Sequence, residues 1–252
     1  KALETMSRAR YAYTEEVMAD ASRILAAIAS FPSIVVEPRV ETMLFKEVEF
    51  VRMSRYTILI VFVTTSGMVH KRFVDTNEDI AQGTLDDMKR YMNERFSGLS
   101  FHVMKERIIQ DMRRDREDLQ DLYRKMQDTL DMLVGDEDKR EVSIEGASQM
   151  IGIPEFSDVE RLKELFTALE NKERLIHLLD QYQSREGINV ILGSESDMRG
   201  MEGMSIIASA YRIDRYSYGV LGIIGPMRMN YSRLIPIVGY TARAVTDLFN
   251  TM

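Results

Sequence analysis

Histidines are the first side chains to consider for chemistry, and their spacing supports no site. His70, His102 and His177 are far apart, and no two histidines lie four residues apart as in a helical zinc site. Cysteine is absent, which removes disulfides, thiolate nucleophiles and cysteine metal ligands, and suits a reducing cytoplasm. We therefore expect no cofactor, and we interpret His177, inside a predicted helix, as a packing or interface residue.

One aspartate-rich segment resembles a calcium loop in part of its pattern. Asp75, Asn77 and Asp79 alternate as calcium ligands do, but the sixth position, which needs glycine for a sharp turn, is Ile80. We expect instead that Thr76 or Asn77 caps the start of a helix.

A second acidic segment, GSESD, follows an apolar strand. Its Glu195 and Asp197 could exchange protons with a substrate. No nucleophile elbow, phosphate-binding loop or dinucleotide fingerprint accompanies them. We interpret the segment as a polar loop and expect that the protein is not an enzyme.

Composition limits the classes of partner. The 252 residues suffice for one large domain or two smaller ones, and they carry a net charge of -7 with a pI of about 5.2. DNA binding needs a basic surface, and no block of lysine and arginine supplies one. The longest nearly apolar run, 56–63, is shorter than the ~20 residues of a membrane span. Because the first residue is Lys1, we expect that the sequence begins inside a longer protein.

Apolar periodicity predicts strands toward both ends of the chain and helices between them. The predicted strands are 46–53, 56–65, 68–75, 188–193, 204–213 and 216–225, with a short one in 140–151. The predicted helices are 2–30, 79–96, 104–134, two within 154–182, and 231–250. Strands of 46–75 could pair with strands of 188–225 only if the middle loops out. The pattern therefore predicts an α+β fold, an antiparallel sheet with flanking helices that is interrupted by a helix-rich insertion.

An apolar seam runs along the predicted helix 104–134. Its members are Ile108, Met112, Leu119, Leu122, Met126 and Leu133. Such a seam either meets a second copy of the chain or belongs to the core of its own domain, and the sequence leaves both uses open.

The stretch GIIGPMRMNY, residues 222–231, predicts a strand, a turn and a helix. Gly225 permits a close backbone approach, Pro226 ends strand pairing and Asn230 is a good helix cap. Arg228 could cross the turn to a carboxylate or to the carbonyl end of another element. These properties describe architecture, and they do not specify a function.

Three stretches in order resemble the HrcA-type heat-inducible transcription repressors. The segment 219–238 is similar to that family's closing Gly-Pro-x-Arg-Met-x-Tyr signature, 146–179 to its Pro-Glu-Phe-x-Asp region, and 190–196 to its Ile-Gly-x-Glu-Asn segment. The matching residues in the first and third stretches are Gly193, Glu195, Gly225, Pro226, Arg228, Met229 and Tyr231.

The resemblance implies a protein of three parts, of which these residues hold two. It implies a linker helix over 1–30, a GAF-like domain over 31–75 and 151–252, and an inserted dimerisation domain over 76–150. The implied winged helix, which binds DNA, is not among these residues.

The resemblance also implies a function and partners. A cytoplasmic homodimer would bind an inverted-repeat operator through its winged helices and repress chaperone operons, and a chaperonin would act on it. No cofactor and no membrane are implied. The alternative function is a GAF-like sensor of a small molecule, bound at the GSESD loop and Arg228.

Overall fold

The computed structural model describes residues 14–114, 120–134, 140–182, 187–195 and 200–251. Its helices are α1 (Thr14–Ala29), α2 (Gln82–Arg95), α3 (Phe101–Arg114), α4 (Gln120–Val134), α5 (Val159–Glu170), α6 (Lys172–Asp180) and α7 (Tyr231–Thr251). Its strands are β1 (Ser33–Val36), β2 (Phe45–Arg52), β3 (Thr57–Thr64), β4 (Val69–Asp75), β5 (Val142–Glu145), β6 (Ile188–Leu192), β7 (Met204–Arg212) and β8 (Tyr218–Pro226). The predicted α+β class, with antiparallel sheets and flanking helices, is confirmed.

The described residues form two compact units. Unit 1 contains 14–38 and the described residues from 140 onward, and unit 2 contains the described residues of 39–134. Each unit has its own sheet and its own apolar core.

Unit 1 is built on an antiparallel sheet of order β5-β1-β8-β7-β6 with helices on both faces. Ile206 and Ala208 of β7 point to the face that α5 and α6 cover. The alternate residues Ser205 and Tyr211 point to the other face, where they meet α7. Burial on both faces explains why β7 and β8 are nearly continuous apolar runs.

Unit 2 is built on the antiparallel sheet β2-β3-β4, whose helices cover one face. Val48 and Phe50 of β2 and Ile58, Ile60 and Phe62 of β3 form a core with the apolar faces of α2, α3 and α4. The strands of 46–75 thus pair with one another, and the expected pairing with 188–225 is not seen. The first boundary between the units lies at 38, not at 75, because the sheet β2-β3-β4 packs with the central helices.

The predicted continuous helix 104–134 is wrong. The chain instead forms two helices, α3 and α4, that pack side by side. Lys105 of α3 forms an ion pair with Asp131 of α4, whereas one straight helix would separate these residues by about 39 Å. The apolar spacing of both helices fits one continuous period, and for that reason the pattern did not reveal the reversal.

The start of α2 also differs from the prediction. Ala81 stands at the cap position and makes no side-chain cap bond, so neither Thr76 nor Asn77 is the cap. The Thr76 hydroxyl donates to the Glu78 carbonyl oxygen at 2.8 Å. At the start of α5 a side-chain cap is present, since Asp158 accepts a hydrogen bond from the amide of Glu160.

The chain leaves and re-enters unit 1 through paired strands. β1 and β5 are antiparallel neighbours, and beyond β1 the amide of Glu37 donates to the Glu141 carbonyl oxygen at 3.0 Å. Next to this pair, the buried Arg140 donates to the Asp180 carboxylate of α6 at 2.6 Å. Replacing either partner of this buried ion pair should lower the stability of unit 1, because the remaining partner would be a buried charge without a counter-charge.

A buried tyrosine ties β7 to β1 across the sheet. Tyr211 donates a hydrogen bond to the Val36 carbonyl oxygen at 3.0 Å, and its ring lies over Gly219 of β8. A Cβ at Gly219 would come within 2.3 Å of that ring. Burial, and to a lesser extent the charge of Glu37, raises the pKa of the Tyr211 phenol, so the hydroxyl remains a donor.

We predict that Gly219→Ala destabilises unit 1 by about 1–3 kcal/mol, because the added methyl forces the Tyr211 ring out of its site. Urea denaturation measures the loss. The control is Gly83→Ala on α2, where no heavy atom lies within 4 Å of the new Cβ, so stability should rise by up to ~1 kcal/mol. A Gly219→Ala variant as stable as the parent chain would contradict this packing.

Candidate functional site at one end of the larger sheet

Two of the resembling stretches meet at one end of the sheet of unit 1. Met204, the first residue of β7, pairs with Pro226, the last residue of β8. Gly193 follows β6 at the same end, where a Cβ would lie 1.8 Å from the Met201 carbonyl oxygen and 3.1 Å from that of Met204. Only glycine permits this close approach. The turn from Gly225 to Tyr231 contacts the same segment, 201–204, since the amide of Met227 donates to the Gly203 carbonyl oxygen at 3.0 Å.

Side-chain hydrogen bonds fix the turn that connects β8 to α7. The Tyr231 hydroxyl donates to the Met227 carbonyl oxygen at 3.0 Å and shares a hydrogen bond with Ser205 of β7 at 2.7 Å. As predicted, Asn230 caps α7, since its side-chain oxygen accepts from the amide of Arg233 at 3.2 Å.

Met229 fills the space inside this turn. It is buried, and its sulfur would lie 3.2 Å from a Cβ on Gly225, which also faces the Phe31 ring at 3.0 Å. The glycine and the methionine of the signature are therefore complementary in volume, and their role is structural.

Three exposed side chains give this end of the sheet its surface. Met227, Arg228 and Glu195 are exposed. Within the ranges that the structure describes, Arg228 makes no hydrogen bond or ion pair, so the expected reach to a carboxylate or a helix end is not seen. Asp197 lies outside the described residues. A guanidinium and a carboxylate on an exposed turn can bind a partner, but they do not form a catalytic constellation.

The seam residues belong to unit 2, whereas this site belongs to unit 1. Ile108, Met126 and Leu133 are buried in the core of unit 2, and Met112 and Leu122 are partly buried against it. Leu119 lies outside the described residues. The structure therefore uses the five described members as intramolecular core, the second of the two uses that the sequence left open.

The three histidines occupy unrelated positions. His70 is buried in unit 2, where its ring stacks on Phe62 at 4.7 Å. His102 lies 3.5 Å from Glu106 on α3, and His177 is exposed in the last turn of α6.

Sequence reasoning did not identify a second apolar face on the sheet of unit 2. Val51, Leu59 and Phe73 stand on the side away from the core, and Phe73 is 65% exposed. A signal was present in the TILIVFV run of 57–63, which is apolar at odd and at even positions. Such a strand needs cover on both faces, whereas the helices of unit 2 cover one.

Comparison with known proteins defines the class of this chain. A family model described as the HrcA protein C terminal domain matches residues 15–235. The heat-inducible transcription repressor HrcA of Geobacter sulfurreducens is 34% identical over 232 residues, which is 92% of this chain and 68% of that protein. The HrcA repressor of Syntrophobacter fumaroxidans is 34% identical over 236 residues, with coverage of 93% and 68%.

A solved structure shares the fold. It is a crystal structure described as that of a hypothetical protein at 2.2 Å resolution, with a TM-score of 0.57 and 15% identity. The alignment covers the whole of this chain and 72% of that one.

These matches place the chain in a class of transcription regulators. The chain belongs to the HrcA family of heat-inducible transcription repressors. That membership is consistent with a regulator and not an enzyme. In the described parts of the chain, no helix has both the length and the apolar content to cross a bilayer.

We predict that Tyr231→Phe lowers the free energy of unfolding by about 1–2 kcal/mol, since it removes two hydrogen bonds of the signature turn. Thermal or urea unfolding measures this change. Tyr240→Phe is the matched control, because Tyr240 lies on the same helix and is 63% exposed. Equal stability of the two variants would show that the tyrosine bonds do not hold the turn.

Proposed function

We propose that these residues form the regulatory and dimerisation region of a heat-inducible repressor. Two copies would associate and position two winged-helix domains on the half-sites of an inverted-repeat operator in the cytoplasm. Family membership supports the repressor function, and the relatives extend beyond the matched region, which covers 68% of their length. The acidic charge of -7 supports a scaffolding role for these residues in place of direct DNA contact.

The observation that carries the dimer is the side of the sheet β2-β3-β4 that the described helices of unit 2 leave uncovered, which we call the outer face. It consists of Val51, Leu59, Val61, Val63, Val69 and Phe73, with Glu47, Glu49 and Lys71 among them. Val51, Leu59 and Phe73 stand in one row across the three strands. A contiguous apolar patch of this kind is typical of an interaction surface.

Association through the edge of β2 is opposed by side chains of α2. The Asn93 amide accepts from the Val48 amide at 2.8 Å and donates to the Val48 carbonyl oxygen at 3.1 Å. Gln82 likewise accepts from the Arg52 amide and donates to the Phe50 carbonyl oxygen. These bridges occupy edge groups that could otherwise pair with a strand of another chain, so the face is the better contact surface.

The charges on the outer face favour a second copy of the same chain. Glu49, Val61 and Lys71 form the row beside that of Val51, with the acid on β2 and the base on β4. A two-fold axis parallel to β3 brings β2 opposite the partner's β4. Glu49 then faces the partner's Lys71, twice per dimer, and Val51 faces the partner's Phe73. Glu49 also forms an ion pair with Lys89 of its own chain. The pairs between Glu49 and the partner's Lys71 would therefore determine the relative orientation of the two copies more than the strength of their association.

The proposed response to heat follows from the small margin of such a contact. Losing a few kcal/mol of association separates the two DNA-binding domains and weakens operator binding. The separated chain exposes its outer face, and a chaperonin that binds apolar surface would act there, returning the chain to the dimer when the temperature falls.

Phe73→Glu should abolish the dimer, because it places a carboxylate at the end of the apolar row, opposite the partner's Val51. Light scattering should show a mass of 29.1 kDa in place of twice that value. The control is Tyr216→Glu, which changes an exposed aromatic residue of unit 1 and should leave the dimer intact. A Phe73→Glu variant that remains dimeric, or a parent chain that is monomeric at high concentration, would refute the proposed face.

A charge exchange tests the orientation of the two copies. Lys71→Glu alone should weaken association by about tenfold, since the new carboxylate faces the partner's Glu49. Adding Glu49→Lys should restore the parent dissociation constant in sedimentation equilibrium. If the double variant dissociates as readily as Lys71→Glu alone, the two-fold axis is not parallel to β3. That result would not exclude the outer face as the contact surface, which Phe73→Glu tests separately.

A further inference from the structure

An open cleft in unit 1 has a lining that the repressor function does not use. It has a volume of about 450 Å³ and lies along α5 and the start of α6. Its lining exposes more apolar than polar surface, which Ala168 and the aliphatic stems of the long side chains supply, and charged groups end those stems. This volume lies in the range of ~300–1,000 Å³ that small-molecule sites occupy.

The charges of the cleft are sorted by sign into two rows. Glu160 and Glu164 are four residues apart on α5 and form one row with Ala168. Lys163 and Thr167 form the next row on the same helix, and Arg174 extends the basic side from α6. An acidic row and a basic row therefore lie side by side in the lining of one cleft.

The junction between α5 and α6 holds the start of α6, and with it the backbone of Arg174, beside the cleft. Asn171 ends α5 and begins α6: its amide donates to the Ala168 carbonyl oxygen at 3.3 Å, and its side-chain oxygen accepts from the Arg174 amide at 3.2 Å. The Thr167 hydroxyl donates to the Lys163 carbonyl oxygen, so its oxygen is left to accept. Within the described residues, Lys163, Arg174 and Glu160 form no ion pair, and their charged groups remain available to a ligand.

We propose that this cleft binds a small zwitterion, a free α-amino acid or a dipeptide. Its carboxylate would lie between Lys163 and Arg174, and its ammonium group against Glu160. The presence of charges of both signs in the lining disfavours a strongly charged ligand such as a nucleoside phosphate. The charged groups of Glu160, Lys163 and Arg174 disfavour a purely apolar ligand, which would desolvate them without giving them a partner. The proposal concerns unit 1 alone and does not depend on the proposed dimer.

The test is isothermal titration calorimetry of the whole chain with the twenty α-amino acids and a set of dipeptides. Acetate, inorganic phosphate and methylammonium serve as ligands that carry one charge sign only. We expect at least one zwitterion to bind with a dissociation constant below about 1 mM, and each single-sign ligand to bind at least about tenfold more weakly. Comparing the amino acids with the dipeptides shows which of the two sources the cleft accepts.

Two variants and two matched controls locate the binding. Arg174→Ala and Glu160→Gln should each weaken the zwitterion by about tenfold or more. Lys172→Ala and Glu173→Gln, exposed neighbours that do not line the cleft, should leave its affinity unchanged. Circular dichroism establishes that all four variants are folded.

Three results would each overturn the proposal. These are no zwitterion binding at about 10 mM, phosphate or acetate binding as tightly as the best zwitterion, and binding that is insensitive to both Arg174→Ala and Glu160→Gln. Light scattering on the same samples reports the dimer separately, so a failure of this site is not confused with a failure of the repressor model.

Discussion

The pairing of β1 with β5 is the interaction on which the organisation of the chain depends. It brings the segment that leaves unit 1 beside the segment that returns to it, with the Glu37–Glu141 hydrogen bond at the exit. Because the returning strand completes the five-stranded sheet at once, unit 1 closes its core without any strand from unit 2. The outer face of unit 2 is consequently not needed for the folding of unit 1.

The two sheets differ in how their faces are covered, and this difference carries the functional account. In unit 1, helices cover both faces, and the buried hydroxyls of Ser22 and Ser33 join α1 to β1 at 2.7 Å. In unit 2, helices α2 to α4 cover one face, while Val51, Leu59 and Phe73 remain on the other. Apolar surface exposed to water is costly, and in the proposed dimer a second copy of the chain would remove this row from water.

Sequence reasoning predicted most elements, and it did not predict their long-range arrangement. The period of apolar residues located β6 to β8 and α7, and local chemistry identified the cap at Asn230. It merged α3 with α4, because apolar spacing continued through both helices. It did not foresee the Arg140–Asp180 pair or the separation of the two sheets, since contacts between residues far apart in sequence leave no local pattern. Of the candidate site, the roles of Gly225 and Asn230 were predictable, whereas Gly193 required the position of Met201.

Removal of unit 2 tests most directly the claim that it carries the self-association. The register of β1 and β5 allows residues 39–139 to be replaced by a two-residue Asn-Gly turn that converts the two strands into a hairpin. Sedimentation equilibrium of the shortened chain, beside the parent, is the decisive measurement. The account predicts a cooperatively folded monomer from the shortened chain and a dimer from the parent. A shortened chain that dimerises with the parent affinity would contradict it.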